Sequence, residues 1–388
     1  MNGPLNGLRV VDLSMFVAGP FATTILAELG AEVIKVEPLA GDPVRHNGVG
    51  PEISGQSAQF HTYNHGKRSA AVDLKSDDGR EKVRQLAAKS QVIFDNFRPG
   101  VMARLGLEHE RLVVENPTLV SVSLSGFGTT GPWAKRAGYD LIVQALGGGL
   151  SLSGHPETGP AHIPFHLGDT AGGLYAAIAI LAAVREAEQI GKGRAYEVSM
   201  LDAQLHLCGD EVTASGTGDW PAKPHGAGHP ALAPYAVFRT ADDPIVIAAV
   251  GPEKFWLNLL GALELGALAD DPRFSSNRDR AVNVDALSEA LEHRLRDRPA
   301  AHWLARFIEA DVPSAPVLNV AGAVKSEHVE ARDLAPWIDA GQGNRAQVPR
   351  TPIRRLGDPA GALLSPAPDL GADSAYVHDL IRKSDTYS

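Results

Sequence analysis

Leu8-Arg9-Val10-Val11-Asp12-Leu13 and Glu32-Val33-Ile34-Lys35-Val36-Glu37 decide the fold class, together with what lies between them. Each is a short apolar run of strand length, and the residues between carry a helical pattern over 21–29. The same alternation continues along the first half of the chain. Strands are expected at 92–94 and 119–124 and helices at 79–89 and 108–115. Runs that are apolar on both faces and separated by helices imply a mostly parallel sheet in a doubly wound α/β layer. The loop Val17-Ala18-Gly19-Pro20 joins the first strand to its helix, where free backbone N–H groups could meet an anion. No G-x-G-x-x-G follows the first strand, so dinucleotide binding is disfavoured, although Glu37 stands where such a protein places its ribose acid. No P-loop or G-x-S-x-G is present either.

Further along, 170–188 is apolar almost all round, which suits a buried helix with Gly191 as its stop. A strand over 196–199 and a helix over 200–207 follow. The Gly, Pro and Ser-rich stretch 209–228 reads as a linker or an active-site loop. Beyond it, 235–240 and 245–250 flank Asp242-Asp243-Pro244 as a hairpin, and helical patterns continue to about residue 310, giving a smaller α+β unit. The stretch 340–347 is loose, and the chain closes on a short apolar strand candidate and a polar tail. The expected division is a large domain over 1–208, a linker or loop over 209–230, a small domain over 231–325, and a return to the large domain over 326–388.

With 388 residues, 44% of them hydrophobic, the chain can bury a substantial core. A net charge of -10 argues against a nucleic-acid partner, since phosphate binding leaves a basic excess. One cysteine, Cys208, cannot form an internal disulfide, which fits a reducing compartment. The opening residues lack a charged and apolar leader pattern, and the longest apolar run, 174–184, is too short to span a bilayer. A soluble cytoplasmic protein is expected, without a membrane partner.

Asp169, in His166-Leu167-Gly168-Asp169-Thr170-Ala171-Gly172-Gly173, is the leading candidate for chemistry. With an ordinary pKa of about 3.9, a carboxylate is ionised at neutral pH and can attack a carbonyl without a neighbouring base. Its structural alternative is a helix N-cap. Gly172 and Gly173 weaken a first helical turn but let a ligand approach the backbone. Basic residues gather at expected element ends: Lys67, Arg68, Lys75, Arg98, Arg104, Lys135 and Arg136 could hold a pyrophosphate and a further phosphate. His162 and His166 have i,i+4 spacing, but Pro164 between them spoils a helical metal site, so no metal is expected.

These motifs in this order resemble the class III CoA-transferase family, the formyl-CoA and carnitine CoA-transferase group. The likeness runs from Gly19-Pro20 and Gly30-Ala31-Glu32-Val33-Ile34-Lys35-Val36-Glu37 through Asp95-Asn96-Phe97-Arg98-Pro99-Gly100. It continues with Ser125-Gly126-Phe127-Gly128, Gly138-Tyr139-Asp140, Ser199-Met200-Leu201-Asp202 and Asp271-Pro272-Arg273-Phe274.

The resemblance implies that Asp169 is the nucleophile of a CoA-transferase. It places Phe16, Val17, Ala18, Lys75, Asn96, Phe97, Arg104, Lys135, Arg136 and Met200 around CoA and the acyl group, with Tyr139 and Asp140 facing the catalytic carboxylate. It also implies a Rossmann-like large domain built from both chain ends, a smaller α+β domain and an interlocked homodimer. The substrates implied are an acyl-CoA and a free carboxylic acid, with no tightly bound cofactor. Val17 stands where oxalate-handling members have a polar amide, which disfavours formyl-CoA/oxalate exchange. The run 224–230 lacks the four glycines of some members. α-Methylacyl-CoA racemases resemble the same fold but carry His at the position of Tyr139, and a neutral phenol is a poor base for proton exchange. A non-catalytic CoA-binding protein is the remaining alternative. Donors for an oxyanion are sought near Gly172 or in the 226–228 loop.

Overall fold

The computed structural model describes residues 3–220, 222–357 and 364–382. Contacts divide the chain into two compact units. One comprises the described residues of Met1–Leu150, His162–Pro221 and Glu327–Ser388, the other those of Ser151–Ala161 and Ala222–Ser326.

The first unit is built on a six-stranded sheet. Its strands are β1 (Arg9–Asp12), β2 (Glu32–Glu37), β3 (Arg68–Ala71), β4 (Val92–Asp95), β5 (Val120–Ser125) and β6 (Ala195–Ser199), in the order β3-β2-β1-β4-β5-β6. Every pairing is parallel, as the doubly apolar runs required. The order reverses between β1 and β4, and the crevice beyond the carboxyl ends of those strands is where such sheets place a ligand.

Helices cover both faces. On one face α1 (Ala18–Glu28) and the long helix Leu167–Ile190 bury Ala22, Leu26, Ala176, Ala177 and Ile180 against Val10, Val92 and Val122. On the other, Val83 and Leu86 of the helix Asp77–Ala88 and Val377 of the helix Ser374–Arg382 cover Val11, Ile34 and Ile93. In chain order we call Ala58–Asn64 α2, Asp77–Ala88 α3, Asp140–Leu146 α4, Leu167–Ile190 α5 and Met200–Leu207 α6.

Several expectations are corrected. β3 was not expected, because Arg68-Ser69-Ala70-Ala71 has no apolar run. The helix expected over 108–115 is a single turn, His109–Leu112. The stretch 209–228 is not loose throughout, since Gly209–Ser215 is helical. In 340–347, Arg345–Gln347 forms a strand paired with Trp337–Asp339. No strand follows among the described residues after Gln347, and the polar tail instead forms the helix Ser374–Arg382. α5 has 24 residues, and an 18-residue stretch within it has a mean hydropathy of 1.6, so by length and composition it could cross a membrane, contrary to the count over 174–184. Its buried Ala176, Ala177, Ile180, Ala183 and Ala187 recur at helical spacing in the sheet's core, which is why the run is apolar.

Gly172 and Gly173 are buried rather than open to a ligand. A Cβ on Gly173 would lie 2.6 Å from the Ala18 carbonyl oxygen and 2.9 Å from Phe21 Cδ1, and one on Gly172 would lie 2.9 Å from Met200 Cγ. These glycines let α1 and α6 approach α5. Gly173→Ala is therefore expected to destabilise the protein by about 1–3 kcal/mol through overpacking. Urea unfolding checks this, and an unchanged midpoint would contradict it.

The second unit contains an antiparallel three-stranded sheet of Tyr235–Phe238, Ile245–Ala248 and Ser314–Pro316. The first two form the expected hairpin. Helices Glu253–Leu263, Val284–Leu295 and Ala300–Glu309 pack Trp256, Leu291, Trp303 and Phe307 onto it.

Candidate active site

A cavity of about 670 Å³ opens at the carboxyl edge of the large sheet, at the reversal between β1 and β4. Its walls are the loops after β1, β4 and β5 together with the start of α5, and Asp169 lies among its lining residues. Of the residues expected around the ligand, Phe16, Val17, Ala18, Asn96, Phe97, Arg136, Tyr139, Asp140 and Met200 line it. Lys75, Arg104 and Lys135 do not line it; they are exposed on segments following β3, β4 and β5. Arg98, His162 and His166 also line the cavity. Arg98 was expected among the phosphate-holding cations, whereas His162 and His166 were expected only as a spoiled metal pair.

The wall after β1 is held from below. Lys35 on β2 is fully buried and donates to the Ser14 carbonyl at 2.7 Å and to Asp42 Oδ2 at 2.9 Å. Asp42 in turn accepts from the Phe16 N–H at 3.2 Å, fixing Phe16 with a left-handed φ of 68° at the cavity rim. Asn96 ties the opposite wall to the same loop: its Oδ1 accepts from Met15 N–H at 2.9 Å and its Nδ2 donates to Met15 O at 2.7 Å. Asn96 thus shapes the cavity with an amide already engaged. Arg136 stands over Trp133, 5.3 Å from the ring centroid, a cation–π placement that keeps its charge at the mouth.

Two expected anion contacts are corrected, one by burial and one by ion pairing. Lys67 is buried against Asp12 Oδ2, the Pro20 carbonyl and Asn64 Oδ1, so no phosphate can reach it. Burial, only partly offset by Asp12, brings its pKa down to about 8. Arg68 is paired with Glu32 and Asp373. Glu37 is likewise unavailable to a ribose, since it accepts from Arg45, Ser69 and the Asp42 N–H.

Asp169 is not the N-cap. That position belongs to His166, left-handed at φ 49°, and Asp169 is the third residue of α5. The capping oxygen comes from another helix: Asp140 Oδ1 accepts from Gly168 N–H at 2.7 Å and from Asp169 N–H at 3.3 Å. A Cβ on Gly168 would stand 3.3 Å from that oxygen, so glycine permits the approach.

The consequence for Asp169 overturns the ordinary carboxylate assumed from sequence. Burial, and then the Asp140 charge, push its pKa up to about 7. Burial, and then the Asp169 charge, raise the Tyr63 phenol on α2, a neighbour with no signal in the local sequence. The cap also removes oxyanion donors from the helix start, where Thr170 N–H is spent on the His166 carbonyl. Gly172 lies inside α5. In the second unit, Gly226 and Gly228 donate to the Gly154 and His225 carbonyls, so neither expected source offers free glycine N–H groups.

The sequence matches the profile of CoA-transferase family III over residues 5–374. An acetyl-CoA:oxalate CoA-transferase of Acetobacter aceti is 41% identical over 86% of this chain and 85% of its own length. A succinate–glutarate CoA-transferase of Agrobacterium fabrum (strain C58 / ATCC 33970) is 34% identical over 96% and 94% of the two chains. The crystal structure of a CAIB/BAIF family protein from Brucella suis superposes with a TM-score of 0.86 at 35% identity, covering 98% of this chain and 100% of that one.

Proposed function

This chain belongs to CoA-transferase family III, and from that premise we propose that it transfers CoA from an acyl-CoA to a free carboxylic acid through covalent intermediates on Asp169. The observation that carries the proposal is the position of Asp169 in the crevice at the sheet's switch point, among the residues that the family resemblance assigns to CoA.

The ionised Asp169 carboxylate attacks the thioester carbonyl, and the C–S bond breaks to give a mixed anhydride and CoA thiolate. The thiolate attacks the aspartyl carbonyl, releasing the donor acid and leaving an aspartyl-CoA thioester. The acceptor carboxylate repeats the two steps in reverse. Thioester replaces thioester, so the exchange needs no net energy input. Arg98 and Arg136 at the mouth, with Lys75, Arg104 and Lys135 on neighbouring segments, supply cations for the CoA phosphates.

The acids we propose are dicarboxylic, as in the names of the two relatives above. Buried Val17 gives the acid site an apolar wall, which favours an acid with a methylene spacer over oxalate. A homodimer is supported by Leu141, Ile142 and Leu146 of α4, Leu174 and Ile178 of α5 and Leu205 of α6, large apolar side chains left exposed on helices that pack together. Interlocking of the two copies, and a cytoplasmic setting, belong to the same proposal.

The test is acyl exchange between succinyl-, glutaryl-, acetyl- and oxalyl-CoA and the corresponding free acids. Exchange with succinate or glutarate, faster than with oxalate, is expected. Absence of exchange from every donor, with solvent deuterium entering C2 of a branched acyl-CoA, would overturn the proposal in favour of racemisation.

A further inference from the structure

Gln144 lies one turn along α4 from Asp140, and its side chain is completely buried although it is polar. Its Nε2 donates to Asp140 Oδ2 at 2.8 Å and to the Ile163 carbonyl at 3.2 Å, while its Oε1 accepts from the Ile163 N–H at 3.2 Å. Two acceptors on one side and one donor on the other fix the amide orientation, because a flipped amide would set oxygen against carboxylate. The α4 backbone is held in turn by Gln204 of α6, which donates to the Gln144 carbonyl at 3.3 Å. Through one side chain, the carboxylate that caps α5 is joined to the segment carrying His162 and His166 into the cavity.

We propose that Gln144 is a positioning residue: it locks Asp140 and the 162–166 segment into one unit and thereby sets the protonation of Asp169 and the shape of the acid site. The inference rests on Asp169 being the nucleophile. No other common side chain offers the same set. Glu would place a second carboxylate at the oxygen that Nε2 now satisfies, and Met would keep the length but provide no donor.

The groups facing this pair are few. His162 Nε2 lies 3.5 Å from Asp140 Oδ2, His166 begins α5, and Tyr63 faces Asp169 from α2. Tyr139 and Arg136 line the cavity from the loop before α4 and Arg98 from the loop after β4, and Met200, Ala203 and Gln204 of α6 bring no charge. Burial is the larger influence on Asp169; Asp140, whose Oδ1 accepts from the Gly168 and Asp169 N–H groups, is the charge that adds to it, so what holds Asp140 tunes that part.

The test follows the acid limb of kcat/KM for acyl exchange in Gln144→Met, Asp140→Asn and the double variant. Asp169 is titrated in parallel by carbon-13 NMR of aspartate-labelled protein, with Asp169→Asn identifying its signal. Gln144→Met is expected to lower the limb and the Asp169 titration by about half to one pH unit, since the repulsion from a fixed Asp140 weakens. KM for the acid is expected to rise severalfold as the 162–166 segment loses its tether. In the Asp140→Asn background, Gln144→Met is expected to cause no further shift, because the two act through one carboxylate. Should Gln144→Met fail to fold, Gln144→Glu gives the converse, a limb moved to higher pH. An unmoved titration in either folded variant, or a full additional shift in the double variant, overturns the inference. Loss of wild-type exchange with the NMR shifts intact would instead refute the proposed function alone.

Discussion

Asp169→Asn is expected to lower acyl exchange by at least about 10³-fold, because it removes the only atom set on which the proposed intermediates form. The amide preserves shape, so α5 and its Asp140 cap remain. In the wild type, exchange should fall as pH drops through about 7, where burial and Asp140 place the Asp169 titration. The carboxylic acid form is a poor nucleophile, so activity belongs to the alkaline side of that limb. Stability runs the other way. A carboxyl group whose folded pKa lies above its unfolded value near 3.8 contributes most below that value and loses its contribution as pH rises through about 7. Asp169→Asn should therefore gain stability relative to wild type at pH 8 and lose the advantage below pH ~4. Exchange assays and urea unfolding across pH check both halves. A variant that keeps exchange, or a wild-type profile flat through pH 7, would contradict the assignment.

Lys35→Met is expected to cost about 3–5 kcal/mol, the penalty for leaving a buried partner charge unpaired. Both side chains of the Lys35–Asp42 pair have zero exposure. The loss extends to the cavity, since Asp42 holds the Phe16 N–H and Lys35 holds the Ser14 carbonyl. The pair can be separated from its effect on the wall. Replacing both members, Lys35→Met with Asp42→Leu, should recover much of the stability, because a buried pair exchanged for apolar packing is often neutral. Phe16 would still lose the acceptor that fixes its left-handed backbone, so KM for acyl-CoA should stay raised. Urea midpoints and KM, measured on both variants, distinguish the roles. Recovery of KM together with stability would show that the pair serves the fold alone.

The parallel sheet was legible because β1, β2 and β4 carry apolar residues on both faces and β5 alternates Val and Leu with Ser, patterns carried by each strand by itself. β3 was not, because its reason for being a strand lies elsewhere. Ile34 and Arg68 are in register on the edge of the sheet, and the exposed side of β3 is satisfied by the chain's far end, where Asp373 accepts from Ser69 N–H and Ser374 from Ala71 N–H. A segment so far along the chain leaves no local signature. The crevice was legible through the family resemblance, which put Phe16, Val17, Asn96, Phe97 and Arg136 around the ligand; they do meet Asp169 in one cavity at the strand ends. Lys67 read as a phosphate contact because it stands beside Arg68 among basic residues at an expected element end; only the fold brings Asp12 to it. The Gly172-Gly173 pair likewise reads as an opening for a ligand until α1 and Met200 are seen against it. Most consequential, the titration of Asp169 depends on burial and on a carboxylate 29 residues earlier in the chain, neither of which the local sequence records.

The most direct measurement is mass spectrometry of the peptide containing Asp169 after the enzyme is mixed with succinyl-CoA and quenched before turnover is complete. A CoA-sized mass increase on that peptide, absent from Asp169→Ala, is the predicted result. Acyl exchange that proceeds with no adduct at Asp169, or with the adduct on another residue, would contradict the account.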